Sequence, residues 1–135
     1  MKTIFVDTSA FYALFNRDDP HHEEAVSAYQ EEDDLLVTTH TVFSELLSLL
    51  TKRQGKQMAI RCGKEMKASQ RLQIVHAKEA EEEKAWELFC RFKDKDYDLV
   101  DCLSFVYMQE QGIDDAFAFD RHFVQHGFRL LKRRG

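Results

Sequence analysis

The chain has 135 residues and a net charge of −5, and its content of 44% apolar and 32% charged residues is that of a globular domain. Its length fits one domain, so we expect residues 1–135 to fold as a single unit. No apolar run approaches the roughly 20 residues that cross a membrane, and the acidic total does not by itself indicate nucleic acid. Three widely spaced cysteines are typical of reduced thiols, and no secretory signal precedes the first strand, so we expect a cytoplasmic protein.

The first element is the short apolar run from Ile4 to Val6, which ends at a carboxylate. An unbroken run of β-favouring residues predicts a strand that is buried on both faces. Asp7 follows this strand, and ligands of open α/β sheets bind at the carboxyl ends of the strands. Asp7 is therefore a candidate site residue, with a plain turn or cap role as the alternative. Thr8 or Ser9 is expected to cap the next helix.

Helical and strand patterns then alternate along the chain. Helices are predicted at 10–15, 21–30, 42–50, 56–69, 78–92 and 97–111, and strands at 35–38, 72–75, 115–119 and 128–131, the last as an edge strand. Thr39 or Thr41 is expected to cap the helix at 42–50, and Gly112 to end the helix at 97–111. Alternation of this kind predicts a parallel sheet that is covered by helices on both faces. Right-handed crossovers then bring the carboxyl ends of the strands to one edge.

Besides Asp7, four other acidic residues are candidates for the site because of their positions in the predicted elements. Asp7 and Asp120 each follow a predicted strand, so both are expected at the same edge of the sheet. Glu45 lies among leucines, where an unpaired acid is costly to bury, although an exposed stripe of its helix is the alternative. Asp98 is predicted to be an N-cap, and Asp101 a first-turn acid that the helix dipole favours. A pair of caps without any chemistry is the alternative for these two.

Basic residues concentrate between Lys52 and Arg71, and again from Arg129 to Arg134. A local basic surface can bind a phosphate backbone even on an acidic protein. A solvated helix face is the simpler interpretation of such a run, and we prefer it on the sequence alone.

Two histidines, His122 and His126, are spaced as a zinc pair on a helix would be. No acidic residue completes a zinc motif around them. We therefore expect His122 to be a surface residue or a supporting neighbour of the acidic site.

Four short segments carry a family resemblance, and they are Val6–Phe11, Ser44–Leu46, Leu99–Phe105 and Phe119–Phe123. In this order they resemble the PIN-domain ribonucleases, and in particular the VapC-type toxins of toxin–antitoxin pairs. The resemblance covers nearly the whole chain. It implies a three-layer α/β/α sandwich with a mostly parallel sheet of four to five strands. It also implies an acidic pocket made by Asp7, Glu45, Asp101 and Asp120.

The resemblance has further implications for the site and its partners. Ser9 matches the family's serine or threonine near the first acid. Asp98 departs from relatives that commonly have a small hydroxyl residue there, and we expect it to cap its helix in the same way rather than add charge to the pocket. The family implies an endoribonuclease that cuts structured or tRNA-like RNA, a cognate antitoxin that covers the pocket, and a homodimer. The third and fourth predicted helices are the candidates for these protein contacts.

Four carboxylates in one pocket repel each other, which raises the pKa of several of them unless a cation is present. Oxygen ligands suit Mg²⁺, or Mn²⁺ as a substitute, better than zinc. Because Mg²⁺ keeps several waters, we expect Asp7 and Asp101 to be direct ligands, with Glu45 and Asp120 binding a second ion or holding metal-bound waters. One or two ions would make hydroxide available and stabilise charge on the phosphoryl oxygens.

Two other functions fit parts of the pattern. A catalytically silent PIN-like module could bind RNA or protein, but such a module has no reason to retain four mutually repelling acids. A phosphohydrolase or phospho-receiver would need paired acids after its first strand, and Asp7 has no acidic neighbour. Metal-dependent hydrolysis of RNA is therefore the prediction.

Overall fold

The sheet is the centre of the computed structural model, which describes residues 2–31 and 34–131. The strands in these residues are β1 (Thr3–Val6), β2 (Leu35–Thr39), β3 (Leu72–Val75), β4 (Asp115–Phe117) and β5 (Arg129–Leu130). They pair in the order β3-β2-β1-β4-β5, and every pairing is parallel. The predicted parallel sheet of four to five strands is confirmed, and β1 lies in its middle.

Helices connect the strands and cover the sheet. Those within the described ranges are α1 (Thr8–Phe15), α2 (His22–Glu31), α3 (His40–Gln54), α4 (Lys56–Ala68), α5 (Glu79–Arg91), α6 (Leu99–Gln111) and α7 (His122–Gln125). The helices α1 to α4 pack on one another, and α5 packs on α6. The sheet order explains the two groups, because the chain moves outward from β1 to β3 and then crosses to β4 on the other side of β1. The predicted α/β/α sandwich is therefore confirmed.

The central strand is buried on both faces, as its unbroken apolar run predicts. Phe5 and Val6 have no exposed side-chain surface, and Ile4 is 1% exposed. The Phe5 ring packs against Tyr107 of α6 and Phe123 of α7, with ring centroids 6.2 Å apart in both pairs. This packing fixes the end of β1, and with it the position of the carboxylate that follows.

The strand predicted at 115–119 is shorter than expected, and this prediction was wrong in its boundary. The β4 strand ends at Phe117, whose carbonyl accepts the Asp7 N–H at 3.0 Å. Two residues later, the Phe119 N–H donates to the Ser9 hydroxyl at 3.0 Å and not to a strand carbonyl. The Ser9 hydroxyl, not a carbonyl of β1, accepts this N–H, so the strand ends before Phe119. Asp120 therefore lies three residues after the end of β4 rather than directly after it.

Several predicted boundaries agree with the structure. The Thr39 hydroxyl caps α3 by accepting the Val42 N–H at 3.1 Å, and Gly112 ends α6 with a left-handed φ of 68°. β5 is a short edge strand, as expected. In the part of the chain that the structure describes, no helix is both long enough and apolar enough to span a membrane. The last residues of the predicted basic tail, 132–134, lie outside that part.

Candidate active site

Acids from distant parts of the chain line one cavity at the carboxyl edge of the sheet. The cavity has a volume of about 330 Å³. The predicted site residues that line it are Asp7, Ser9, Glu45, Asp98, Asp101 and Asp120. The fold therefore brings together every residue that the sequence singled out for the site.

Asp7 serves both as a helix cap and as a wall of the cavity. Its Oδ2 accepts the Ser9 N–H at 3.3 Å and the Ser9 hydroxyl at 2.8 Å, so Asp7 is the N-cap of α1. The prediction that Thr8 or Ser9 would cap this helix was wrong, because Asp7 already has the extended backbone and the acceptor that an N-cap needs. Ser9 also accepts the Phe119 N–H at 3.0 Å, which ties the end of β1 to the segment before Asp120.

Glu45 lies in the second turn of α3 and is half-buried rather than on an exposed stripe. Its Oε1 accepts a hydrogen bond from the Thr8 hydroxyl at 2.6 Å. The sequence offered Thr8 only as a helix cap, and nothing in it shows that this hydroxyl reaches across 37 residues to Glu45. The contact provides the polar partner that a partly buried acid requires.

Asp98 and Asp101 form a reciprocal capping box at the start of α6. Asp98 Oδ1 accepts the Asp101 N–H at 2.7 Å, and Asp101 Oδ2 accepts the Asp98 N–H at 3.1 Å. Asp98 therefore caps the helix as predicted. The expectation that Asp98 would not add charge to the pocket was wrong, because Asp98 lines the cavity and its carboxylate raises the pKa of Asp101.

Asp101, Asp120 and His122 form a set of possible metal ligands within the described residues. One ligand atom from each lies within 4.8 Å of the others. The His122 Nδ1 lies 2.8 Å from Asp101 Oδ2, and the His122 N–H donates to Asp120 Oδ1 at 3.0 Å. Asp7, which the sequence predicted as a direct ligand with Asp101, is not part of this set. His126 does not join it, because its ring stacks on Phe105 with centroids 4.6 Å apart.

Comparison with known proteins agrees with this geometry. Residues 4–129 match the PIN domain family. The chain belongs to this family. Its PIN domain is 34% identical over 125 residues to the 23S rRNA-specific endonuclease VapC20 of two Mycobacterium tuberculosis strains, and the match covers 93% of this chain and 95% of the relative.

Solved structures show the same PIN fold. The crystal structure of M. tuberculosis VapC20, a Sarcin-Ricin loop cleaving toxin, matches with a TM-score of 0.88 at 34% identity, over 93% of this chain and 95% of that one. A toxin–antitoxin complex from Klebsiella pneumoniae matches with a TM-score of 0.67 at 14% identity, over 97% and 98% of the two chains. VapBC2 from Rickettsia felis, bound to a promoter DNA fragment, matches with a TM-score of 0.73 at 13% identity, over 95% and 96%. At such low identity, the last two show the fold alone.

Burial and mutual repulsion raise the pKa values of three acids in the cavity of this PIN domain. Burial raises the pKa of Asp7 well above its usual 3.8, and the nearby Asp120 charge raises it further. Burial also raises the pKa of Asp101 to about 7, with the Asp98 carboxylate as the next cause. The pKa of Glu45 is raised by burial, although the Thr8 hydrogen bond opposes this. A set of oxygen donors whose ionised forms are destabilised together fits a hard divalent cation.

Aromatic and basic side chains complete the wall of the PIN cavity. Arg53 Cζ lies 5.3 Å from the centroid of the Tyr12 ring, and the His21 ring stacks on Phe119 with centroids 4.5 Å apart. All four residues line the cavity. The sequence predicted a basic stretch without singling out Arg53. A spacing of i, i+4 and i+8 from Glu45 through Leu49 to Arg53 is the signal that could have placed it on the same helix face.

Proposed function

We propose that this PIN domain, as one unit over residues 1–135, is a metal-dependent endoribonuclease that acts in the cytoplasm as the toxin of a type II toxin–antitoxin module. The observation that carries the proposal is the convergence of four acids, Asp7, Glu45, Asp101 and Asp120, on one cavity. The 34% identity to an rRNA endonuclease over almost the whole chain supports RNA as the substrate.

The four acids are proposed as the catalytic, metal-binding residues, with Mg²⁺ as the ion and Mn²⁺ as a substitute. Asp7 and Asp101 are the proposed direct ligands, and the proximity of Asp120 to Asp101 supports a place for Asp120 on the same ion or on a second one. When bound, the ion lowers the pKa of a water and stabilises negative charge on the phosphoryl oxygens.

The neighbours of the acids hold them in place before any substrate binds. Thr8 donates to Glu45, and Ser9 donates to Asp7, so each of these carboxylates has one oxygen fixed by a hydroxyl. His122 holds Asp101 in the same way. Preorganised carboxylates need no rearrangement when the ion and the phosphate arrive, which is what an efficient site requires.

The proposed substrate is structured RNA, and the ribosomal hairpin cut by the relative is the first candidate. Arg53 supplies a positive charge on the rim of an acidic cavity, where a phosphate next to the cleaved bond would bind. An antitoxin is the proposed protein partner, with a homodimer as the proposed assembly, and α3 and α4 are the proposed contact helices.

Cleavage of a synthetic hairpin of the sarcin–ricin loop and of total ribosomal RNA tests the proposal, with Mg²⁺, Mn²⁺ or a chelator in the buffer. We expect cleavage with either ion, none with the chelator, and a loss of at least about 100-fold in Asp7→Asn and in Asp101→Asn. Asp94→Asn is the matched control, because the Asp94 side chain is 78% exposed and lies outside the cavity. Cleavage that survives in both site variants would refute the assignment. A protein that binds these RNAs without cutting them would instead be the silent module.

A further inference from the structure

A second cavity, separate from the acidic one, extends along the edge strand β3 to the carboxyl end of the sheet. Thr39 and Val75 are paired in register at the ends of β2 and β3, so the residues that follow them leave the sheet side by side. These residues are His40 and His76, and their rings stack with centroids 4.5 Å apart and planes inclined by 19°. Because β2 and β3 are the first and second neighbours of β1, the two histidines lie roughly 5 to 10 Å across the sheet from Asp7.

The lining of this second cavity is opposite in charge to that of the first. It has a volume of about 330 Å³ and is lined by His40, Phe43, Met66, Lys67, Leu72, Ile74 and His76. Lys67 contributes a positive charge, and its Nζ lies 5.6 Å from the centroid of the Phe43 ring. No carboxylate is among the described residues of the lining. Each imidazole offers at least one N–H donor in either protonation state. The cavity therefore combines hydrogen-bond donors, a cation and flat aromatic faces.

We propose that this cavity, which we call the histidine cavity, binds a nucleotide of the RNA that flanks the cleaved bond. Lys67 and the imidazole N–H groups contact its phosphate, and the exposed His76 ring provides a face for its base. The inference rests on the proposed RNA cleavage, because it assigns the flanking part of that substrate. It adds a binding subsite that lies outside the acidic cavity.

The shared helix α3 supports this placement. His40 lies in its first turn and Glu45 in its second, about 7.5 Å further along the helix axis and about 140° around it, so the two cavities flank different sides of one helix. Carboxylates repel the phosphates that flank the cleaved bond, and Arg53 is proposed to bind one of them, so the other flanking phosphates need positive charge outside the acidic cavity. The histidine cavity provides that charge through Lys67, in a lining shared with the two histidines that follow β2 and β3.

A metal ion is the competing occupant of two neighbouring histidines, and the ring geometry disfavours it. The nitrogen lone pairs of an imidazole lie in the plane of the ring. In rings stacked within 19° of parallel, those lone pairs run side by side rather than converge on one point. A metal bound by both rings requires convergence.

Equilibrium binding tests the proposal without requiring cleavage. The probe is a fluorescein-labelled synthetic hairpin of the sarcin–ricin loop, titrated with the full chain in a chelating buffer over a range of salt concentrations. We expect Lys67→Gln to weaken binding about fivefold to tenfold and to reduce the slope of log Kd against log salt by about 1. His40→Ala combined with His76→Ala should weaken it about tenfold. Lys64→Gln is the control, since Lys64 is exposed on the same helix but does not line the cavity.

The outcomes separate this inference from the proposed function. In Mg²⁺, the histidine-cavity variants should raise KM and leave kcat within about threefold, because they do not touch the acids. Unchanged binding in folded Lys67→Gln and in the double histidine variant, or an equal loss in Lys64→Gln, overturns the inference even if Asp101→Asn still abolishes cleavage. If Ni²⁺ binds with a heat that the double variant loses, while RNA binding is unchanged, the cavity is a metal site. Thermal unfolding of each variant shows whether it folds, and exposed Lys67 keeps the test decisive if the double variant does not.

Discussion

His122 Nδ1 lies 2.8 Å from Asp101 Oδ2, which joins the start of α7 to the start of α6. The Asp98 N–H donates to the same oxygen, at 3.1 Å. Two contacts on Oδ2 fix the carboxylate in one rotamer and leave Oδ1 for the cavity. An acid that is proposed to bind a metal is thus oriented by a backbone amide and an imidazole, the arrangement by which proteins commonly set the direction of a ligand.

Replacing His122 should therefore weaken metal binding. We expect His122→Ala to reduce the affinity for Mn²⁺ by about 10-fold to 100-fold, because the Asp101 carboxylate loses one of the two groups that orient it. Isothermal titration with Mn²⁺ measures the change. His122→Asn is the matched control, since its amide keeps a donor close to Asp101 and should recover part of the affinity. An affinity equal to that of the unchanged protein would mean that the imidazole contributes nothing to the site.

The stability of the metal-free protein should fall as the pH rises. The pKa of Asp101 in the folded state is about 7, against the usual 3.8, so between these values the folded chain binds more protons than the unfolded chain. The stabilising contribution of the protonated acid is complete below about pH 4 and is lost as the pH rises through 7. One such group lowers the free energy of unfolding by up to about 1.4 kcal/mol per pH unit, and Asp7, whose pKa is raised in the same direction, adds to the effect.

Urea unfolding in a chelating buffer at pH 5 and pH 8 measures this dependence. Asp101→Asn should flatten it, because an amide does not titrate. Saturating Mg²⁺ should raise the stability at pH 8 more than at pH 5, since the ion binds the ionised acids. A metal-free protein that is more stable at pH 8 than at pH 5 would contradict the assignment of the raised pKa values.

The sequence was sufficient for the elements whose signal is local. The apolar run of β1 and the glycine at the end of α6 each depend on a few neighbouring residues and are predicted correctly, and Thr39 caps α3 as one of the two threonines expected for that role. The resemblance to a family predicts that the acids share one cavity without any reference to the order of the strands. The strand alternation alone placed only Asp7 and Asp120 at a common edge.

The contacts that orient the acids were not predictable in this way. The Thr8–Glu45 and His122–Asp101 pairs join residues 37 and 21 positions apart, and only the packing of α1 on α3 and of α7 beside α6 brings them together. The early end of β4 has the same origin, because it depends on the Ser9 hydroxyl accepting an amide from 110 residues away. No pattern of apolar spacing contains such partners.

Arg53 should affect RNA binding rather than folding. Its side chain is exposed and lies over the Tyr12 ring at the rim of the acidic cavity. We expect Arg53→Gln to weaken binding of an RNA hairpin and to reduce the slope of log Kd against log salt by about 1, as loss of one phosphate contact does. Fluorescence anisotropy over a salt series measures both quantities. Lys52→Gln is the control, because it removes an equal charge from the preceding residue, which is also exposed but does not line the cavity. It should leave the slope nearly unchanged.

Removing the Thr8 hydroxyl should move the acidic limb of the pH–rate profile. The hydrogen bond from Thr8 to Glu45 favours the ionised carboxylate and opposes the rise in its pKa that burial causes. In Thr8→Val, which keeps the shape of the side chain, that opposition is lost and the pKa of Glu45 rises further. We expect a cleavage rate about tenfold lower at pH 6 and a loss that shrinks as the pH rises, because a higher pKa reduces the ionised fraction most at low pH.

Thr8→Ser separates this electrostatic role from packing, because it restores the donor while removing a methyl group. Its pH–rate profile should resemble that of the unchanged protein, with the acidic limb back at lower pH. Rates of RNA cleavage from pH 5.5 to 8.5 at saturating Mg²⁺ provide the comparison. An equal loss in Thr8→Val at every pH, together with a similar loss in Thr8→Ser, would mean that Thr8 acts through packing of α1 on α3 and not through its hydrogen bond to Glu45.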